Sequence, residues 1–237
     1  TPEAVFVSVA LPRLGGKKLA EELFKGIQEE VNTFNVVLAG GDTNAWDGPV
    51  VISVTAIGSV SPQQCWRRDA AQPGDLLVVT GPLGGSLLGR HLNVIPRCRE
   101  AIAIASHYPV NAALDISDGL AIDCGKMLTA SQVGGTIDLE AVPIHPDAIS
   151  LSTVPHSNKL SPLEHAMQDG EDFELLLSAP PEAAQALVEN DPHSLVPNTT
   201  MQPRIIGRVT ENPDFCYRTP DGQTKRLEPK GFEHVLE

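Results

Sequence analysis

The sequence has few aromatic residues, which make up 4% of its 237 positions, and few basic ones. Lysine and arginine number 17 against 30 aspartates and glutamates, so the net charge is −13. A chain with this charge repels nucleic acid and anionic membranes, and we expect neither as a partner. A polyanionic ligand can still bind, but only where a cation or local hydrogen-bond donors reverse the field.

Cysteine is also scarce, and long apolar runs are missing. Cys65, Cys98, Cys124 and Cys216 form no Cys-x-x-Cys pair and match no zinc spacing, so we expect ordinary thiols in a reducing compartment. No window reaches the length of a transmembrane helix, and the N-terminus lacks the basic and then apolar pattern of a signal peptide. These absences predict a cytoplasmic protein.

Strand and helix patterns alternate along the chain without a strict βαβ rhythm. A β-rich run at residues 4–11 precedes an amphipathic helix at 17–33, a short buried strand at 36–39 and a strand at 50–60. Further strands are predicted at 76–80, 112–115, 135–139, 174–178, 205–209 and 215–218, and further helices from 86 to 92 and at 97–106, 120–131, 161–168 and 181–189. The pattern predicts an α+β fold with one domain over residues 1–65 and a second, a mixed sheet covered by helices, over 66–237.

The first motif with chemical potential is Gly40-Gly41-Asp42-Thr43, directly after the predicted strand at 36–39. Glycines there let the backbone approach a ligand and present its N–H groups, and Asp42 adds a carboxylate. A plain turn between two strands would have the same sequence, so both interpretations stay open.

The second motif is acidic and joins a strand to a helix, with Asp115, Ser117 and Asp118 followed by Asp123. A helix start needs only one capping side chain. Three carboxylates this close repel one another unless a cation lies among them, and oxygen ligands of this kind suit Mg²⁺. The sequence therefore favours a magnesium site over a simple helix cap.

Three further patterns are less specific. The glycine-rich loop at residues 81–86 could bind phosphate at a helix N-terminus, but it lacks the Gly-Lys-Ser/Thr ending, and a tight structural turn is favoured. The acidic run at residues 169–174 is typical of a solvated surface, although Glu171 could accept hydrogen bonds from a substrate amine. Arg67 and Arg68 are candidate phosphate ligands or members of a surface salt bridge.

Taken together and in order, these segments resemble the thiamine-monophosphate kinase family. That family belongs to an ATP-binding superfamily with aminoimidazole ribonucleotide synthetase, selenophosphate synthetase and a hydrogenase-maturation enzyme. The match extends over nearly the whole chain, and it rests on the segments AGGDT, RRDAAQPGDLLVVTGPLGGS, ALDISDGLAIDCGKML, DGEDFELLL, IGRV and KGFEHV. The pieces DISDGL and GEDFEL are the most specific to the family.

The resemblance implies a role for particular residues. The implied ATP contacts are Gly41, Asp42, Arg68 and Ser117. The implied Mg²⁺ ligands are Asp42, Asp115 and Asp118. The implied contacts to thiamine monophosphate are Glu171 and Phe232. The implied reaction is in-line transfer of the γ-phosphoryl group of ATP to the acceptor phosphate, which needs positioning and charge neutralisation and no residue assigned as general acid or base.

The sequence also departs from the family pattern. Family members carry a further N-terminal segment with additional aspartates, so we expect residues 1–65 to be the remainder of an ATP-binding and dimerisation domain, and a homodimer is implied. Asp169 stands where the family usually has glycine, and Asn44-Ala45 replaces Thr-Arg. Two alternatives remain: a sister ATP-dependent enzyme with another acceptor, or a non-catalytic protein that binds thiamine phosphate.

Overall fold

The structure, a computed structural model, describes residues 1–154 and 159–232. The chain divides after Cys65 into two units, unit 1 (Thr1–Cys65) and unit 2 (Trp66–Glu237). In the part of the chain that the structure describes, no helix has both the length and the apolar character needed to cross a membrane.

Unit 1 is a three-stranded sheet with one long helix. Its elements are β1 (Pro2–Pro12), α1 (Gly16–Thr33), β2 (Val37–Trp46) and β3 (Val51–Gly58). The strand order is β2-β1-β3, with β1 parallel to β2 and antiparallel to β3. Helix α1 is the crossover that a parallel pair requires. The predicted order of strand, helix, strand and strand is therefore confirmed.

The Gly40–Thr43 motif lies inside β2 and not in a turn after it. The prediction of a short buried strand at 36–39 was wrong, because β2 is longer and exposed along most of its length. Glycine is required at Gly41 for a local reason. A Cβ at this position would lie 1.8 Å from the carbonyl oxygen of Val7 on the neighbouring strand, next to a shift in the β1–β2 register. The glycines thus allow two backbones to approach closely within the sheet.

Unit 2 contains a seven-stranded mixed sheet. Its strands are β4 (Leu76–Val79), β5 (Ala112–Asp115), β6 (Gly134–Asp138), β7 (Leu175–Ala179), β8 (Arg204–Thr210), β9 (Phe215–Arg218) and β10 (Thr224–Arg226). They are arranged in the order β10-β9-β6-β8-β4-β7-β5, and every neighbouring pair is antiparallel except β6 and β9. The sequence predicted six of these strands and missed β10.

Helices cover both faces of this sheet. They are α2 (Cys98–His107), α3 (Leu120–Ala130), α4 (Pro146–Ser152), α5 (Pro162–Gln168), α6 (Pro181–Glu189) and α7 (Pro192–Leu195). Side chains alternate along β4, so Leu77 packs in one buried cluster with Met127 of α3, and Val78 packs in a second cluster with Ile104 of α2. The predicted α+β architecture, a mixed sheet covered by helices, is confirmed.

The predicted helix from residue 86 to 92 is wrong. Two short 3₁₀ turns, Ser86–Leu88 and Arg90–Leu92, occupy this region. Gly89, inside the predicted span, has a φ of 133°, which an α-helix does not accommodate. The glycine-rich segment therefore has no long helix whose N-terminus could face a phosphate.

Candidate functional site

Two acidic segments of unit 2 lie side by side, and we call them the first acidic loop (residues 115–119) and the second acidic loop (residues 169–174). Asp115 is the last residue of β5 and pairs with the first residue of β7, so the two loops leave neighbouring strands at one end of the sheet. Their pairing continues beyond the strands, because the N–H of Glu171 donates to the carbonyl of Ser117 at 2.8 Å. The fold thus joins motifs that are more than fifty positions apart.

Glycines make this close approach possible, and they bring in a third segment. A Cβ at Gly119 would lie 2.7 Å from the carbonyl oxygen of Gln168, the last residue of α5, and a Cβ at Gly170 would lie 2.5 Å from that of Ser117. A Cβ at Gly231 would lie 2.2 Å from the carbonyl oxygen of Asp118, and the N–H of Phe232 donates to that same oxygen at 3.0 Å. Three parts of the chain therefore meet at the first acidic loop.

Asp123 and Lys126 of α3 set the shape and charge of the first acidic loop. The buried carboxylate of Asp123 accepts the N–H groups of Ser117 and Asp118 at 3.0 and 2.8 Å. Its other oxygen accepts from Lys126 at 2.9 Å, and Lys126 also pairs with the carboxylate of Asp118. Partial burial lowers the pKa of Lys126, but the hydrogen bonds to Asp118 and Asp123 outweigh it and raise that pKa overall.

This arrangement corrects the expectation that a metal relieves the repulsion among three carboxylates. Lys126 already supplies a cation, and Asp123 is turned inward as an acceptor for backbone N–H groups. Within the described residues, the carboxylate of Asp115 is exposed and has no hydrogen-bond or ion-pair partner. Asp115 and Asp118 are thus the carboxylates of this loop that remain accessible to a ligand.

The donor set fits a metal ion that binds together with phosphate. Among the described residues, no group of three or more histidine, cysteine, aspartate or glutamate side chains is placed to hold a metal. Mg²⁺ commonly uses one or two carboxylates and completes its shell with water and phosphate oxygens. Asp115 and Asp118 match that requirement, and they do not form an all-protein cage.

Two other residues to which the resemblance assigns a role in binding ATP or metal, Arg68 and Asp42, belong to different units of the chain. Arg68 belongs to unit 2 and lines a cavity of about 540 Å³ together with Lys126. Asp42 belongs to unit 1, next to Gly41 in β2. Its two carboxylate oxygens accept from the N–H of Thr43 at 2.9 Å and from the side chain of Asn44 at 2.7 Å. The roles of these residues in binding ATP or metal stay predictions.

The glycine-rich loop is bonded to the second acidic loop. The N–H of Gly84 donates to Asp172 at 2.8 Å, and the N–H of Gly85 donates to Asp169 at 2.9 Å. These two N–H groups are therefore already satisfied by carboxylates and are not available to a phosphate. The favoured interpretation of this loop as a structural turn agrees with the geometry, whereas the second acidic loop is more than a solvated surface.

Asp172 is a buried carboxylate, 8% exposed, between this loop and a single arginine. Arg90 donates to Asp172 at 3.0 Å and to the carbonyl of Gly84 at 2.9 Å. Burial raises the pKa of Asp172 to about 6, although the N–H of Gly84 and the charge of Arg90 act in the opposite direction. The contact between the glycine-rich loop and the second acidic loop therefore contains a carboxyl group that titrates under mildly acidic conditions.

We expect the stability of the protein to depend on pH through Asp172. Between about pH 4 and pH 6 the folded state holds a proton on this carboxyl that the unfolded state has released, so stability falls as pH rises through this window. The free energy of unfolding of the wild type minus that of Asp172→Asn should decrease by up to about 3 kcal/mol from pH 4 to pH 7. Urea denaturation of both proteins at several pH values measures this. If the difference in free energy of unfolding between the two proteins does not change with pH, the raised pKa of Asp172 is contradicted.

The second acidic loop is anchored at its far end by a buried ion pair. Arg97 donates two hydrogen bonds to Glu174, at 3.0 and 2.5 Å, and both side chains are 8% exposed. Thr80 donates to the same carboxylate at 2.6 Å, and Arg97 also donates to Thr200 at 2.8 Å. Burial lowers the pKa of Arg97, but the bonds to Glu174 outweigh it and raise that pKa. This network therefore holds the far end of the second acidic loop in place.

Sequence reasoning missed several of these residues. Lys126 could have been found, because it lies three positions after Asp123 and therefore on the same face of the predicted helix. The contacts of Gly84 with Asp172 join residues 88 positions apart, and no periodicity in the sequence signals them. Such pairs follow from the order of strands in the sheet.

Comparison with known proteins adds to this geometry. The N-terminal domain family of AIR synthase related proteins matches residues 1–60, and the corresponding C-terminal domain family matches residues 86–215. The chain is 39% identical over 234 residues to a thiamine-monophosphate kinase of Rhodopirellula baltica, an alignment that covers 99% of this chain and 70% of the relative.

Comparison with solved structures also finds thiamine monophosphate kinases. The thiamine monophosphate kinase of Aquifex aeolicus superposes with a TM-score of 0.77 at 26% identity, over 96% of this chain and 76% of that one. A structure of AaThiL complexed with AMPPCP and TMP superposes with a TM-score of 0.71 at 26% identity, over 99% of this chain and 74% of that one. By these matches in sequence and fold, the chain belongs to the thiamine-monophosphate kinase family of AIR synthase related proteins.

Proposed function

We propose that the protein transfers the γ-phosphoryl group of ATP to the phosphate of thiamine monophosphate and requires Mg²⁺. The observation that carries this proposal is the meeting of three segments in unit 2. Asp115 and Asp118, the proposed metal ligands, lie in the loop that bonds to the backbones of Glu171 and Phe232, the proposed acceptor contacts. A kinase site needs its metal, nucleotide and acceptor groups at one place, and this arrangement supports it.

The chemistry requires one bond exchange. An oxygen of the acceptor phosphate forms a bond to the γ-phosphorus of ATP as the bond to the β–γ bridging oxygen breaks, which yields thiamine diphosphate and ADP. A phosphate monoester is ionised at neutral pH, so no general base is needed and positioning dominates. Mg²⁺ held by Asp115 and Asp118 would neutralise charge on the phosphate oxygens.

Positive side chains support binding of a polyanion by a chain of net charge −13. Lys126 and Arg68 line the same cavity, and Lys126 is the cation nearest to Asp118 among the ion pairs of the first acidic loop. We assign Arg68 to the ATP phosphates and Ser117 to a further ATP contact. In unit 1 we assign Gly41 and Asp42 to ATP, and Asp42 also as a Mg²⁺ ligand. Because Lys126 is already paired with Asp118 and Asp123, the proposed Mg²⁺ and Arg68 would supply most of the charge that offsets repulsion of ATP.

The acceptor contacts suit the thiamine moiety. Thiamine carries a positively charged thiazolium ring and an amine, and the carboxylate of Glu171 complements both. Phe232 is 57% exposed, so part of its side chain is accessible to a cationic or planar ring. An AaThiL structure contains both an ATP analogue and TMP, which supports the same pair of substrates here.

The decisive experiment measures ADP release with ATP, Mg²⁺ and thiamine monophosphate, and identifies the product by mass spectrometry. Formation of thiamine diphosphate would support the proposal. ATP turnover with another acceptor alone would instead indicate a sister enzyme of the superfamily. Binding of thiamine monophosphate without ADP release would indicate a non-catalytic binding protein. Either of these last two results would overturn the proposal.

We also propose a homodimer formed through unit 1. Strand β3 lies at an edge of its sheet and exposes four apolar side chains, with Ile52 and Val54 on one face and Val51 and Ile57 on the other. Their exposed fractions range from 47% to 60%. Exposed apolar edge strands promote association, so a second copy is the natural cover for this surface.

Val54→Asp should therefore shift the protein from dimer to monomer. Val54 is 60% exposed, so a charge there costs little in a monomer but a great deal in an apolar interface. Light scattering coupled to size-exclusion chromatography measures the mass of both proteins. Lys25→Asp, on an exposed position of α1, is the control and should leave the dimer unchanged. An unchanged mass for Val54→Asp would contradict an interface at β3.

A further inference from the structure

The backbone of Glu171 has an unusual conformation. Its φ is +66°, in the left-handed region that residues other than glycine seldom adopt. Phe173, two positions later, has a φ of +52°. Such conformations cost about 1–3 kcal/mol each and persist only where surrounding contacts hold them. The direction of the Glu171 side chain thus depends on whatever fixes this backbone.

The contacts that fix it come from two sides. On one side, the N–H of Glu171 donates to the carbonyl of Ser117 in the first acidic loop at 2.8 Å. On the other, the carbonyl of Glu171 accepts a hydrogen bond of 2.5 Å from the hydroxyl of Ser86, a fully buried residue. The peptide groups on both sides of the Glu171 α-carbon are therefore held by hydrogen bonds.

The two residues before Ser86 also donate hydrogen bonds to the second acidic loop, from their backbone N–H groups to side-chain carboxylates. The N–H of Gly84 bonds to Asp172, and the N–H of Gly85 bonds to Asp169. We call residues 84–86 the loop clamp, because three consecutive residues hold three positions of the second acidic loop. Both glycines have positive φ values, 90° and 75°. A Cβ at Gly84 would lie 2.6 Å from the backbone of α5, and a Cβ at Gly85 would lie 2.4 Å from the backbone of α4. Side chains at these positions would prevent the clamp from forming.

We propose that Ser86 is a positioning residue for the acceptor, and that it acts through Glu171. Its hydroxyl fixes the backbone carbonyl of Glu171. It thereby directs the side-chain carboxylate of Glu171 toward the cationic thiamine moiety of the bound acceptor. This inference rests on the proposed function of the site. It assigns the glycine-rich loop to recognition of the acceptor, through the second acidic loop, and not to binding of the nucleotide phosphates.

The test is Ser86→Ala, measured by steady-state kinetics and by calorimetric binding of thiamine monophosphate without ATP. The KM for thiamine monophosphate and its Kd should both rise about tenfold, since a buried carbonyl loses its donor, while the KM for ATP stays within about twofold. Ser150→Ala is the matched control. Its hydroxyl also donates to a backbone carbonyl, that of Pro146, but on an exposed helix, and both constants should stay unchanged.

A double-mutant cycle separates positioning from general loosening of the fold. If Ser86 acts through Glu171, Ser86→Ala should change the Kd by less than about twofold in a Glu171→Ala background. An equal effect in both backgrounds would overturn the inference, as would normal binding by Ser86→Ala. If Ser86→Ala does not fold, Ser86→Cys retains a weak donor of similar size and should show an intermediate increase. Failure of the wild type to bind thiamine monophosphate would instead refute the proposed function.

Discussion

Replacing Asp118 by asparagine should lower kcat at least about 100-fold, the scale at which loss of one charge-stabilising group acts on transfer reactions. The substitution removes a proposed metal ligand while keeping nearly the same shape. The backbone of Asp118 keeps its bonds to Asp123 and Phe232, and Lys126 keeps its bond to Asp123, so the fold should persist. ADP release at saturating substrates measures kcat, and thermal denaturation tests the fold.

A matched control for this substitution is Glu211→Gln, which also removes one negative charge. Glu211 is exposed and lies in the turn after β8, outside the acidic loops. Its kcat should equal that of the wild type within about twofold, since the effect of one distant exposed charge is screened. Undiminished turnover by Asp118→Asn would remove this residue from the proposed metal site.

The largest loss of stability should follow from Arg97→Ala. The substitution leaves the carboxylate of Glu174 buried without its cation, and breaking a buried pair from one side costs about 3–5 kcal/mol. Urea denaturation measures the change in the free energy of unfolding. The pair also anchors the second acidic loop. If the Arg97→Ala protein remains folded, it should therefore bind thiamine monophosphate more weakly than the wild type.

The exposed pair of Arg218 with Asp138 provides the comparison within unit 2. Their N–O distance is 2.9 Å, against 2.5 Å in the buried pair, and the side chains are 53% and 39% exposed. Arg218→Ala should therefore cost less than about 1 kcal/mol. Equal losses for Arg97→Ala and Arg218→Ala would show that burial does not set the strength of these pairs.

The sequence predicted the elements of the fold well where hydrophobic periodicity was strong. Helix α1, with Leu19, Leu23, Ile27 and Val31 at four-residue steps, was predicted to within one residue at its start. The region after Gly85 was predicted incorrectly, because apolar residues such as Leu87 and Leu88 suggested a helix that the positive φ of Gly89 interrupts. A backbone conformation of this kind is determined by tertiary packing and is only weakly encoded in composition.

The candidate site was only partly visible in the sequence. The carboxylates of Asp115 and Asp118 stood out because like charges rarely cluster without a reason. That Asp123 turns inward, and that Asp169 and Asp172 bind N–H groups of a distant loop, depends on which strands are neighbours in the sheet. Strand order is a global property, so residue spacing alone does not reveal these contacts.

The contact of Gly231 and Phe232 with the backbone of Asp118 has a consequence for biosynthesis. The ribosome makes the first acidic loop more than one hundred residues before the segment that completes its surroundings. A nascent chain therefore carries the proposed metal ligands well before it carries the aromatic contact for the acceptor. Competence to recognise thiamine phosphate should arise only after Phe232 has left the ribosome.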